Sequence, residues 1–111
     1  MHELAVTQSI LEIALRHAGN ANRITNLYLV IGDLAGIVDE SVQFYWDIIT
    51  KGTIAEGSQL EFKRVKTRFH CEACGYDFEP PDRVSKCTQC GGYQVFITAG
   101  REFRLESIEV E

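Results

Sequence analysis

Hydrophobic residues recur at helical spacing near the start of the chain. Leu4, Leu11, Ala14, Leu15 and Ala18 form a stripe that Ile10 widens. This predicts an amphipathic helix, and Gly19-Asn20 predicts its end, because both residues tolerate a left-handed backbone. The period then changes to two. Leu27, Leu29 and Ile31 alternate with residues that include Asn26 and Tyr28, predicting a strand over Ile24 to Ile31 that stops at Gly32-Asp33. Helical spacing returns at Val42, Tyr45, Trp46 and Ile49, with Asp39 placed to cap the helix and Lys51-Gly52 to close it. Leu60 and Phe62 alternate with Glu61 and Lys63 in a second strand. Between Glu102 and Glu111 the apolar set is Phe103, Leu105, Ile108 and Val110. Its parity switches between Leu105 and Ile108, which predicts a β-bulge or a fully covered stretch.

The order helix, strand, helix, strand, strand predicts an α+β fold: a small three-stranded sheet with two helices on one face. A cysteine-bearing segment separates the last two of these strands and reads as an inserted zinc-ribbon-like module. The expected boundaries are 1–67 and 99–111 for the α+β part and 68–98 for the module.

All four cysteines lie in Cys71-Glu-Ala-Cys74 and Cys87-Thr-Gln-Cys90, with 12 residues between the pairs. Two residues between thiolates let both sulfurs reach one ion from a tight turn. Gly75 and Gly91-Gly92 follow the pairs, so the backbone amides can curl toward the sulfurs and offset their charge. Two such turns supply a tetrahedral four-cysteine zinc site with no open position, which predicts a structural role. About 30 residues bury too little apolar surface to fold unaided, so the metal must supply much of the module's stability. Two disulfides are the alternative for an exported chain. Iron is another, since Cys71 to Pro80 resembles a rubredoxin knuckle, although the 12-residue gap argues against that fold. His70, beside a complete ligand set, is expected at the surface or behind the ligands.

Composition narrows the function. The chain has 111 residues, 45% hydrophobic and 24% charged, with a formal net charge of −5. This is globular composition, and the acidic balance argues against a nucleic-acid surface. Lys63, Arg64, Lys66 and Arg68 do form a local basic run, expected along a solvated strand edge. No apolar window is long enough for a membrane span, and Met-His-Glu followed by Glu12 does not read as a signal peptide, so a cytoplasmic location is expected. No nucleophile motif appears, and the chain does not read as an enzyme.

The start, Met1-His2-Glu3, carries its own chemistry. A free α-amine, the backbone nitrogen of residue 2 and the His2 Nδ1 can close fused chelate rings on one ion. Nitrogen ligands in a plane suit Ni(II) or Cu(II). A histidine at position 2 is also compatible with no metal role, and Glu3 favours a helix start through the dipole alone.

Met1-His2-Glu3-Leu4, Val30-Ile31-Gly32-Asp33-Leu34-Ala35-Gly36, the paired Cys-x-x-Cys turns and Ser107-Ile108-Glu109-Val110-Glu111 together resemble the HypA family. The resemblance spans the whole chain. It implies a nickel metallochaperone of NiFe-hydrogenase maturation that delivers Ni(II) to the hydrogenase large-subunit precursor with a HypB-type GTPase; some relatives also serve urease. It further implies that His2 is the essential nickel ligand, with the Met1 amine and a backbone nitrogen beside it and Glu3 as a ligand or neighbour. Cys71, Cys74, Cys87 and Cys90 become the zinc ligands. Asp39 or Glu40 could lie near the nickel. A histidine that follows a Cys-x-x-Cys pair in some members is replaced here by Gly75 and Gly91. The competing reading is a zinc-ribbon adaptor or interaction protein without nickel delivery. The oligomeric state is left open.

Overall fold

A computed structural model describes residues 3–80 and 86–111. Helix α1 spans Glu3–His17 and strand β1 spans Ile24–Gly32, followed by a 3-10 turn at Asp33–Ala35 and helix α2 at Asp39–Ile49. Strands β2 (Gln59–Val65), β3 (Arg68–Cys71), β4 (Asp77–Phe78), β5 (Val95–Ala99) and β6 (Phe103–Val110) complete the chain.

Two three-stranded sheets form, ordered β2-β1-β6 and β4-β3-β5. In the first, β1 pairs parallel with β2 and antiparallel with β6. Both helices cover the face that carries Leu27, Leu29, Ile31 and Leu60, as expected. Their contribution is Ile10, Ala14 and Ala18 from α1 and its end, and Val42 and Trp46 from α2. The Trp46 indole is fully buried, and its Nε1–H donates to Ser58 Oγ at 2.8 Å. Burial of that ring therefore leaves no polar atom unpaired.

Three details differ from the expected pattern. The buried side of α1 is Thr7, Ile10 and Ala14, while Leu4 and Leu15 stay exposed. Thr7 can be buried because its hydroxyl donates to the Glu3 carbonyl, while Ile10, Ala14 and Ala18 of the expected stripe are core and Leu11 packs against it. Asp39 does not cap α2: Val38 occupies that position, and the Asp39 carboxylate accepts from Arg64 at 2.5 Å. The basic run is not one strand edge either. Lys63 and Arg64 lie on edge strand β2, but Arg68 opens β3, the central strand of the second sheet.

The bulge expected in the last strand is present. Tyr28 pairs with Ser107 and Leu29 with Leu105, so Glu106 is the extra residue that brings both Leu105 and Ile108 to the core side. A second shift, between Ile24 and Asn26, leaves Thr25 over and lets both Ile24 and Leu27 be buried.

The second sheet has a core of its own: Phe69, Cys71, Phe78 and Cys87, with Val95 and Ile97 packed against it. Phe69 and Phe78 meet edge to face, with centroids 5.7 Å apart. The molecule measures 55 × 22 × 16 Å with a radius of gyration of 17.7 Å. A single compact globule of this length would be near ~13 Å, so the two cores lie end to end. Between them, the backbone of Gly32 meets that of Gly100. The Leu34 N–H donates to Gly100 O and the Gly32 N–H to Glu102 O, each at 2.7 Å.

Candidate metal centre

Each Cys-x-x-Cys pair forms the same turn. The Gly75 N–H donates to Cys71 O at 2.8 Å, and the Gly91 N–H donates to Cys87 O at 3.0 Å. The Cys71 and Cys87 amides in turn donate to Tyr76 O and Gly92 O, at 2.9 and 2.8 Å. Gly75 (φ +78°) and Gly91 (φ +76°) sit in the left-handed region that such a turn requires and that a side chain would strain. β3 runs straight into the first turn, and β5 leaves the second, so the small sheet holds the two turns face to face.

The result is one cluster of four sulfurs, all within 4.8 Å of one another. Cys71 Sγ lies 3.7 Å from Cys90 Sγ, and Cys74 Sγ lies 3.6 Å from Cys87 Sγ. Four sulfurs bound to one zinc at the usual Zn–S length stand about 3.8 Å apart, so this spacing fits a tetrahedral ion. Disulfides do not form: all four cysteines are free, and the close contacts join one cysteine from each turn at non-bonded distance. Cys71 and Cys87 are buried, whereas Cys74 and Cys90 face the surface.

Backbone amides converge on the sulfurs. The Gln89 and Cys90 N–H groups both reach Cys87 Sγ at 3.4 Å, and the Gly92 N–H reaches Cys90 Sγ at 3.4 Å. The amide of Cys90, then that of Gln89, pulls the Cys87 thiol down to about 6 against the cost of burial. At Cys74 the Tyr76 amide acts in the same direction. Desolvation and the neighbouring sulfurs outweigh it, and the thiol is pushed up to about 12. A bound cation would displace the Cys74 proton and gain a thiolate ligand.

The remaining candidates are dispersed. Glu3 is the first residue of α1 and half-buried; Met1 and His2 lie outside the described residues. Asp39 begins α2 in its ion pair with Arg64, and Glu40 beside it is exposed. His70 is outside the sulfur cluster, as expected, with Nδ1 2.6 Å from Asp77 Oδ1 across the β3–β4 pair. The amide donors of Gln89 and Cys90, and Asp77 as the partner of His70, were not foreseen residue by residue. The only signal for the amides was the glycine after each pair, and Asp77 had none, because its pairing depends on strand register.

The sequence profile of the family described as "Hydrogenase/urease nickel incorporation, metallochaperone, hypA" matches residues 1–110. A hydrogenase maturation factor HypA from Caldanaerobacter subterraneus is 46% identical, with both chains covered in full. One from Dehalococcoides mccartyi is 40% identical over all of this chain and 95% of its own. Two solution structures share the fold at 24% identity. One, of the Ni metallochaperone HypA from Helicobacter pylori, has a TM-score of 0.67 over 99% of this chain and 97% of its own. The other, of a HypA protein, has a TM-score of 0.75 over 100% and 97%. The chain belongs to the HypA family, whose members are metallochaperone maturation factors and not enzymes.

Proposed function

We propose that the chain binds Ni(II) at its N-terminus and delivers it to the large-subunit precursor of a NiFe-hydrogenase, in the cytoplasm and together with a HypB-type GTPase. Family membership over the whole chain, together with the Met1-His2-Glu3 start, carries this reading. The ligands are the Met1 amine, a backbone nitrogen and His2 Nδ1, with Glu3 as a ligand or neighbour. The nitrogen donors in a plane suit Ni(II). A site built mostly from backbone at a terminus releases its ion without repacking a core, and can present it directly to a partner's ligands.

The four-sulfur cluster we assign to a resident zinc held by Cys71, Cys74, Cys87 and Cys90. When bound, the ion supplies cross-linking and charge compensation, not reactivity. The four sulfurs complete a closed tetrahedral set, and the amides of Gln89, Cys90 and Gly92 share their negative charge. Residues 68–98 then act as a module stabilised by the metal, attached to a nickel-binding part formed by 1–67 and 99–111.

The test is a Ni(II) titration of untagged, zinc-loaded protein beside a version with one extra N-terminal residue. The native chain should bind one ion and the extended chain should lose it. Affinity should fall with pH through the imidazole and α-amine titrations, ~6.5 and ~8 for unperturbed groups, because the ligands must be deprotonated. Equal binding by both chains would place the nickel elsewhere. Binding by neither would leave an adaptor role in its stead.

A further inference from the structure

The basic run that opens at Lys63 plays no part in either metal site, and the fold doubles it. Residues 63–68 and 101–104 hold six of the 11 lysines and arginines, with Glu102 as their one carboxylate, in a chain of net charge −5. Far apart in sequence, the two segments run side by side. Val30 pairs with Lys63 on one side and with Arg104 on the other. Further on, Gly100 packs against Thr67, and Arg68 pairs with Ala99. The cations thus gather at the waist between the two cores.

Not all of them are free to act. Arg64 is held by Asp39 and the Ile37 carbonyl, and Arg68 by Glu79 at 3.5 Å. The Glu102 carboxylate accepts from the Gly100 amide. Lys63, Lys66, Arg101 and Arg104 are exposed and form no ion pair among the described residues. Lys63 and Arg104 flank Val30 on the sheet face that the helices leave open, about 10 Å apart at the backbone. Val30 is only 2% exposed, so a ligand meets charge there and no apolar floor.

We propose that this waist is a docking surface for an acidic segment of a partner protein. A nucleic-acid strand fits it poorly. About 7 Å further along the same face lies an acidic row, in which Glu61 pairs with Tyr28 and the Tyr28 hydroxyl bonds the Glu109 carboxylate. That distance is inside the Debye length, so a continuing phosphate chain would run into repulsion. Tyr28, the exposed aromatic of this face, stands in the acidic row and not among the cations where a base could stack. A short run of carboxylates meets neither obstacle. The surface stands whether or not the N-terminus carries nickel, so its failure and that of the nickel reading are separable.

The test uses the full, zinc-loaded chain without nickel, isotope-labelled and titrated with a four-residue polyglutamate peptide at about 0.1 M salt, where the Debye length is about 10 Å. Amide shifts should concentrate in residues 63–67 and 100–104. Reversal by Lys63→Glu with Arg104→Glu should weaken binding about tenfold, from two surface attractions turned to repulsions. The charge-matched control, Arg16→Glu with Lys51→Glu, should weaken it by less than about threefold, because those charges lie beyond the patch. Absence of saturable binding, shifts elsewhere, or equal loss in the control would overturn the proposal. Tighter binding of an oligothymidylate at the same residues would replace the protein partner with nucleic acid. Salt-sensitive dimers in ultracentrifugation, lost on the same reversal, would replace it with a second copy of the chain.

Discussion

At the scale of single residues, glycines and sulfurs hold the two halves of the molecule in place. A Cβ on Gly32 would lie 2.0 Å from the Gly100 carbonyl oxygen, and that atom belongs to backbone already bonded to the Leu34 amide. Neither side can move aside as a flexible side chain would. Gly32→Ala should therefore destabilise the protein by about 1–3 kcal/mol, the usual cost of overpacking, as read by urea unfolding of the zinc-loaded chain. A neutral result would mean that the two strands part without loss. By contrast, Gly19 and Gly36 have open space around them, and their role is limited to a positive φ. The sequence marked Gly32 as a strand end and as part of the Val30 to Gly36 motif but not as a contact point, since its neighbour Gly100 is 68 positions away.

At the scale of elements, the alternating patterns were legible and the irregularities only partly so. β1, β2 and α2 follow from Leu27, Leu29 and Ile31, from Leu60 and Phe62, and from Val42 and Trp46, because their periodicities are regular. In α1 the pattern gave Ile10, Leu11, Ala14 and Ala18 of the core face but also Leu4 and Leu15, which are exposed, and it did not give Thr7, whose bond to the Glu3 carbonyl lowers the cost of its burial. The bulge at Glu106 was readable from the parity switch, whereas its counterpart at Thr25 was hidden by the regular run that follows. Strand β6 offers a direct check. Deleting Glu106 removes the extra residue, so that either Leu105 or Ile108 must turn from the core to the open face. The deletion should cost about 2–5 kcal/mol, comparable to losing one buried leucine, and a stability close to the parent would mean the strand re-registers freely.

At the scale of the whole molecule, two unequal cores share one chain. The first joins both helices to a sheet around Trp46; the second has four buried residues, two of them cysteines of the sulfur cluster. With so small a cluster, the proposed zinc would supply much of what holds β3, β4 and β5 together. Zinc chelation should therefore abolish hydrogen-exchange protection in Phe69, Cys71 and Ile97, while Leu29, Ile31 and Trp46 stay protected. Loss of protection in both groups would show that the cores unfold as one. The cysteine spacing made the site readable without coordinates, because two residues between thiolates already set the ligand geometry. The three short strands that hold the turns together were not readable, being two to five residues long.

What the sequence by itself determined is therefore local: the period of each regular element, the two metal-binding turns with their glycines, and the Met-His-Glu start. Each depends on residues within a few positions of one another, where spacing alone sets geometry. The tertiary structure decided the rest: the burial of Thr7 and exposure of Leu4 and Leu15 in α1, the meeting of Gly32 with Gly100, the pairing of Asp39 with Arg64 and of His70 with Asp77, and the gathering of Lys63 with Arg104 across Val30. Those contacts join residues 7 to 68 positions apart, or place distant strands in one row. Only strand register and the closing of the chain on itself can bring them together.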